Sequence, residues 1–180
     1  MGQVWRLWGH VITAGALCVP LAYLAVRLLA RRRAARGHRA PLRTATADVI
    51  MVVGTVPWLW MILTPRPGPG GVSVVPFQDL ALLADAPLHT VFVQVGGNLL
   101  VFAALGALLP VRSARFASFA AVSAAGIAGS FTVEALQYAL RLGRVSSFDD
   151  ILLNWVGIAL AAGISRPWWI TRIPARTVPQ

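Results

Sequence analysis

Polar side chains that could do chemistry are concentrated in one stretch, EALQYALRLGRVSSFDDILLN, at residues 134 to 154. Glu134 and Gln137 are three residues apart, and Asp150 and Asn154 are four apart. On a helix, each of these pairs shares a face. Apolar runs flank the stretch on both sides. The spacing therefore indicates polar groups that project together from helix ends at the edge of an apolar region.

Two kinds of chemistry suit these residue types. The planar fork of an arginine such as Arg144 donates paired hydrogen bonds to phosphate or carboxylate, and the amides of Asn and Gln suit peptide or sugar groups. Alternatively, Glu134 with Asp149 or Asp150 could perform general acid–base work on a lipid-linked substrate. A metal held by these three carboxylates is a further alternative, because oxygen ligands suit hard cations.

Known catalytic signatures are absent from the sequence. It contains no H-E-x-x-H, no G-x-S-x-G, no Gly-rich phosphate loop and no Cys/His cluster. Binding is therefore favoured over catalysis. We assign no catalytic residue, keep Glu134 and Asp150 as catalytic candidates, and expect neither a metal nor a cofactor.

The composition is typical of a membrane protein. Of the 180 residues, 57% are hydrophobic and 12% are charged, whereas a soluble domain has about 45–50% apolar and about 25% charged residues. This length suits one domain of roughly four to six spans of ~20 residues each. The single cysteine, Cys18, lies in an apolar run and indicates neither a disulfide nor a metal cluster.

Hydropathy predicts an all-α, polytopic membrane helix bundle with about five transmembrane helices. Thr46 or Asp48 is expected to cap the second helix, and Pro76 to open a short interfacial helix unless that segment is a loop. The fifth helix is too short to span unless it continues through Pro167 to Trp169, and a re-entrant segment is the alternative. The predicted spans are 8–29, 48–63, 90–109, 116–140 and 150–164.

The net charge of +10 comes entirely from arginine and predicts an orientation. Eleven arginines fall in the segments 31–43, 112–115 and 166–176, and four fall on the opposite side. Cytoplasmic loops retain positive charge, so we predict an N-out, C-in topology. Because the charge fills gaps between apolar runs, we expect no nucleic-acid partner.

Three regions follow from this topology. Residues 1–47 hold the first transmembrane helix and a basic cytoplasmic loop, residues 48–165 form the main transmembrane domain, and residues 166–180 form a cytoplasmic tail. Gly126 and Gly129 are predicted close-contact positions that pack the third, fourth and fifth helices into one unit.

The topology brings polar groups from three helices to the same outer-leaflet level, where they are costly unless they pair or face water. We therefore predict one extracytoplasmic polar pocket. Its predicted ligand-binding residues are Asn98, Glu134, Gln137, Arg144, Asp149, Asp150 and Asn154.

Structural roles for the same residues remain open alternatives. Asn98 and Asn154 could join helices by hydrogen bonds. Glu134 could form an ion pair with Arg144 or Arg141. The adjacent pair 149–150 could cap and stabilise the start of the fifth helix.

A set of residues at characteristic spacings resembles the VanZ-like family of bacterial membrane proteins. The resemblance covers about residues 48–164, and its most specific part is E-x-x-Q followed by R-x4-D-D-x3-N-x2-G. The sequence departs from the family pattern at Ser73, Ala104 and Ser147. The matching residues are Gly97, Asn98, Phe102, Gly106, Pro110, Glu134, Gln137, Arg144, Asp149, Asp150, Asn154 and Gly157.

The resemblance implies a multi-pass protein of the bacterial plasma membrane with a role in the cell envelope and a link to resistance to glycopeptide antibiotics such as teicoplanin. The expected partners are membrane lipids and a lipid-linked cell-wall precursor or a glycopeptide antibiotic. Three functions follow: a non-enzymatic protein whose pocket binds an envelope component, an acid–base enzyme acting on a lipid-linked substrate, and a structural partner of another membrane protein.

Overall fold

The computed structural model describes the backbone of residues 2–170 and the side chains of residues 17–169. The side chains of residues 8–16 in the first predicted span and the tail arginines Arg172 and Arg176 therefore lie outside the description. The chain divides into two compact units, Met1–Val53 and Gly54–Gln180.

The N-terminal unit contains helix α1, Gly2–Ala35, and the first half of helix α2, Pro41–Leu63. Within this unit Arg33 forms a salt bridge with Asp48. Helix α2 begins seven residues before the predicted start at Asp48, so the prediction that residue 46 or 48 caps it is wrong. Proline suits the first helical position, because the N–H it lacks would have no partner there.

The C-terminal unit is built from the rest of α2 and from ten further segments, most of them helical. Two three-residue strands are the exception. The segments are β1 Gly71–Ser73, α3 Gln78–Leu82, α4 Leu88–Val91, a π-helical turn Phe92–Gly96, α5 Gly97–Val101, α6 Ala103–Arg112, a 3-10 turn Ala114–Phe116, α7 Phe119–Ala139, β2 Val145–Ser147 and α8 Phe148–Ile170.

Among the described residues, four helical segments are long and apolar enough to cross a membrane. They are Pro41–Leu63, Leu88–Arg112, Phe119–Ala139 and Phe148–Trp169. The all-α prediction is confirmed, whereas a membrane crossing by the first predicted span and the orientation remain predictions. The last segment continues through Pro167, and its 22 residues correspond to ~33 Å of helix, enough for a ~30 Å hydrocarbon core.

Helix α8 is the centre of the packed unit and contacts α5, α6 and α7. Glycines allow the close approach. A Cβ at Gly157 would meet the backbone carbonyl of Leu99, and one at Gly106 would meet the backbone of Ile158. A Cβ at Gly126 would lie 2.7 Å from Ile158 Cδ1. These contacts confirm that the third, fourth and fifth predicted helices pack as one unit.

The segment Leu88–Arg112 is interrupted twice, which the sequence analysis did not predict. The π-helical turn precedes α5, and the helix breaks at Phe102, whose φ and ψ are −115° and 9°. The Phe102 ring packs near Gly129, where a Cβ would lie 3.4 Å from Cζ. A Cβ at Gly129 would therefore make an ordinary contact with this ring, and of the two predicted close-contact positions the structure confirms a tight approach at Gly126 alone.

Two loops join through strands that were not predicted. Strands β1 and β2 pair in parallel, with Gly71 opposite Val145. The Arg66 N–H donates to the Leu142 carbonyl at 2.9 Å. Gly143 has a φ of +68°, and a Cβ there would collide with the Arg66 carbonyl. The Pro/Gly-rich loop after α2 is thereby held against the loop between α7 and α8.

Candidate functional site

A polar cavity of about 370 Å³ lies in the C-terminal unit. The end of α2, the π-helical turn, α5, α7, the start of α8 and the two joined loops surround it. Six of the seven predicted ligand-binding residues line it, and Asp149 does not. The lining residues are Met61, Ile62, Arg66, Pro67, Asp79, Val93, Gln94, Gly97, Asn98, Glu134, Gln137, Gly143, Arg144, Val145, Ser147, Asp150 and Asn154.

Asp150 forms one wall of the polar cavity, in the first turn of α8. Its carboxylate accepts a hydrogen bond from Asn98 Nδ2 and a longer one, at 3.5 Å, from Gln94 Nε2. Gln94 and Asn98 are four residues apart, across the π-helical turn. The aspartate is thus held by amides and by none of the arginines.

Glu134 also lines the polar cavity and is 7% exposed. Its Oε2 accepts the Ser147 N–H at 3.1 Å, and its backbone carbonyl accepts the Ser146 hydroxyl at 2.9 Å. The Ser147 hydroxyl in turn donates to the Asp79 carboxylate. Strand β2 is therefore fixed to α7 by Ser146 and Ser147, and the donor to the Glu134 carboxylate is a backbone N–H.

The predicted ion pair between Glu134 and either Arg144 or Arg141 is wrong: among the described residues, no salt bridge involves this glutamate. Instead, Arg144 Nη2 donates to the Met61 carbonyl at 2.8 Å, and Gln137 Nε2 donates to the Ile62 carbonyl at 3.1 Å. Both carbonyls are in the last turn of α2, where the helix itself offers no donors and a cation is favoured.

A second nitrogen of that guanidinium, Nε, has no such partner. Arg144 Nε is buried and has no hydrogen-bond partner. Burial lowers the pKa of Arg144, and the nearby charge of Arg66 lowers it further, while Asp150 and Glu134 act in the opposite direction. Since arginine stays protonated in proteins, the cavity holds two neighbouring positive charges, and one of its buried donors has no partner.

Asn154 contributes an unused acceptor. The residue is 2% exposed, and its Nδ2 donates to the Ser130 hydroxyl on α7 at 2.8 Å. Its Oδ1 is buried without a partner. The prediction that Asn154 joins helices is confirmed for one atom of the amide, and the other atom remains free to accept a hydrogen bond.

Asp149 has a different role from the one predicted. It is 1% exposed, and its carboxylate accepts the N–H groups of Phe77 at 2.6 Å, Asp79 at 3.0 Å and Leu80 at 3.1 Å. These N–H groups belong to the start of α3. Asp149 therefore caps a different helix, which explains why its side chain points away from the cavity.

Several lining residues were missed by the sequence analysis. Gln94 could have been found, because it lies four residues before Asn98 on the same helical segment. Arg66, Asp79 and Ser147 come from loops or short elements, and no sequence periodicity connects them with the cavity. Within residues 17–169, no group of three His, Cys, Asp or Glu side chains is placed to hold a metal ion.

Comparison with known proteins identifies a family. The VanZ/LLP1 family model matches residues 51–170, which include every residue that lines the polar cavity. No curated protein and no solved structure matches the chain.

Proposed function

The chain belongs to the VanZ/LLP1 family, and we propose that it is a multi-pass protein of the bacterial plasma membrane whose polar cavity binds an anionic group of a cell-envelope component. Through this component it contributes to resistance to glycopeptide antibiotics of the teicoplanin type. The family match and the four apolar helices support membrane residence, and the contents of the cavity support the ligand class.

The observation that carries the proposal is the unpaired Nε of Arg144 beside Arg66. A buried donor without a partner is rare in native proteins, and its loss of hydration costs about 1–3 kcal/mol. Arg66 is exposed and lines the same cavity. A phosphate or carboxylate between the two guanidinium groups would satisfy the donor and relieve their mutual repulsion.

The remaining walls restrict what else the ligand carries. Asp150 and Glu134 would repel a second anionic group placed near them, whereas they accept hydrogen bonds from hydroxyl or amide groups. The Asn154 Oδ1 also seeks a donor. The cavity volume, about 370 Å³, lies within the roughly 300–1,000 Å³ typical of small-molecule sites. A headgroup with one anion and neighbouring hydroxyl or amide groups fits these features.

A structural function is the second candidate, because Arg144 and Gln137 cap the end of α2. An acid–base enzyme is the third, because Glu134 and Asp150 both line the cavity. The structural candidate predicts that substitutions alter abundance and thermal stability alone. The enzymatic candidate predicts a chemically changed product.

A substitution of Arg66 distinguishes the binding function from the structural one, because the Arg66 side chain makes no hydrogen bond among the described residues. We would measure the affinity of the purified protein for ethyl phosphate, a soluble mimic of the anionic group, by NMR titration in nanodiscs. Arg66→Gln should weaken binding about tenfold, the effect of losing one charge-assisted hydrogen bond worth about 1.4 kcal/mol. Arg141→Gln is the matched control, since Arg141 is exposed and lies outside the cavity.

Unchanged affinity in Arg66→Gln would overturn the proposal, as would equal losses in both variants. The same variants expressed in a teicoplanin-sensitive host would test the resistance role. There, Arg66→Gln should lose protection at normal abundance, while Arg141→Gln retains it.

The orientation can be tested by cysteine labelling in a Cys18→Ala background. We expect Val145→Cys to react with an impermeant thiol reagent in intact cells and Arg36→Cys to react only after permeabilisation. Both positions are exposed. The reverse pattern would reject the N-out, C-in topology and place the polar cavity on the cytoplasmic side.

A further inference from the structure

A second, larger concavity adjoins the polar cavity. It has a volume of about 930 Å³ and lies along the exposed face of α7, between that helix, the start of α8 and strand β1. We call it the apolar groove. Its lining residues are Val72, Ser73, Val74, Ala124, Ile127, Ala128, Phe131, Glu134, Ala135, Tyr138, Ser146, Ser147, Phe148 and Ile151.

The apolar groove and the polar cavity share two residues, Glu134 and Ser147. These residues are hydrogen-bonded to each other at 3.1 Å. The surface thus changes from apolar to polar across a single pair of residues. A ligand that occupies both the groove and the cavity would need an apolar part on one side of Glu134 and a polar part on the other.

The apolar groove follows α7 for more than half the thickness of a membrane. Its lining extends along α7 from Ala124 to Tyr138, fourteen residues or ~21 Å of helix. The hydrocarbon core of a membrane is ~30 Å thick. Within the groove, Ile127 and Phe131 are 47% and 64% exposed, on a helix apolar enough to span a membrane.

Resting on the function proposed above, we propose that the ligand of the polar cavity is a lipid-linked anion. Its hydrocarbon chain lies in the apolar groove, and its phosphate or carboxylate lies at Arg66 and Arg144. The positive charge of the two arginines is complementary to the anion. The shared boundary at Glu134 and Ser147 provides the passage from chain to headgroup.

The energetics define what the apolar groove contributes. Lipid tails are as apolar as the groove, so moving a chain into it gains little hydrophobic free energy. The benefit is positional, because a headgroup whose chain lies in the groove is held at the mouth of the cavity at high effective concentration. The headgroup enters the polar cavity laterally, while its hydrocarbon chain stays in the membrane. A water-soluble anion lacks this advantage.

The test uses dodecyl phosphate with a photoreactive diazirine at the chain end, incorporated in phosphatidylcholine nanodiscs that contain the full chain. Labelling should map to residues 124–135, and excess unlabelled dodecyl phosphate should compete with it. Dodecanol should compete poorly, because it lacks the anion. Equal competition by both compounds would overturn the proposal and show that the groove holds bulk lipid.

Substitutions of alanine on α7 supply the second arm. Ala128→Trp fills the apolar groove and should reduce labelling to background, as should Ala124→Trp if the first variant is unstable. Ala139→Trp is the control, because Ala139 is exposed on the same helix and lines no part of the groove. Equal labelling in Ala124→Trp, Ala128→Trp and Ala139→Trp would overturn the proposal.

Ethyl phosphate distinguishes the two proposals. It has no long chain, so Ala128→Trp should bind it like the unsubstituted protein. If Ala128→Trp leaves dodecyl phosphate labelling intact while Arg66→Gln still weakens ethyl phosphate, the groove proposal fails and the cavity proposal stands. If ethyl phosphate binding does not depend on Arg66, the cavity proposal itself fails.

Discussion

Replacing Asp149 by alanine should release helix α3 locally. The carboxylate accepts three backbone N–H groups, from Phe77, Asp79 and Leu80. No other side chain caps the start of this five-residue helix. Phe77 precedes the helix with a φ of 64°, a left-handed conformation that is unfavourable for a residue with a Cβ.

The magnitude follows from these contacts. The residues of α3 are intermediate or exposed in burial, so water can replace part of each lost hydrogen bond. A net value of about 1 kcal/mol per bond is then appropriate, or about 3 kcal/mol for three. Release of the left-handed residue returns roughly 1 kcal/mol. The remaining ~2 kcal/mol corresponds to an opening equilibrium about 30-fold more favourable in Asp149→Ala.

Hydrogen–deuterium exchange of peptides covering residues 76–83 measures this opening directly. Exchange at the three capped amides should accelerate about 30-fold in Asp149→Ala, while peptides from α8 change little. Asp85→Ala is the control, since Asp85 is an acidic residue just after α3 and caps no described helix. A change below about threefold, equivalent to ~0.6 kcal/mol, would refute the capping role.

Two further predictions concern packing and charge. Gly157→Ala should lower the free energy of unfolding by about 1–3 kcal/mol, because its Cβ would meet a backbone carbonyl that cannot move away. Gly163→Ala is the control and should be nearly neutral, since the nearest atom to its Cβ lies at 4.0 Å. Thermal melting in detergent compares the two variants. Glu134→Gln and Arg144→Gln should show a coupling below about 1 kcal/mol in a double-mutant cycle, because no salt bridge joins them. A coupling of about 3 kcal/mol or more would indicate a buried pair.

The helices could be predicted because their determinants are local. Apolar length identified the four candidate spans of the described chain, and small residues identified the packing face of α7 at Gly126 and Gly129. Polar residues on different helices also converged on one cavity as predicted. This followed from the cost of polar groups in lipid, which favours their mutual contact whatever the exact partners are.

The hydrogen-bond partners of these polar side chains were not predictable, because many of them are backbone groups. Arg144 and Gln137 were expected to meet charged or ligand groups, and they bind the carbonyls that end α2. Ser147 departs from the family pattern, yet its N–H donates to the Glu134 carboxylate. Unpaired N–H and C=O groups at helix ends arise from the folded geometry, and side-chain types alone do not reveal which of them lies within reach.

Asp149 and Asp150 show how far this limit extends. The two are adjacent and identical in chemistry, and the sequence gives no basis for assigning them different roles. On a helix, consecutive residues point about 100° apart, so one carboxylate reaches the N–H groups of α3 while the other reaches Asn98 at the cavity. Loss of Asp149 should therefore loosen a loop. Loss of Asp150 should alter the polar cavity while α3 remains protected from exchange.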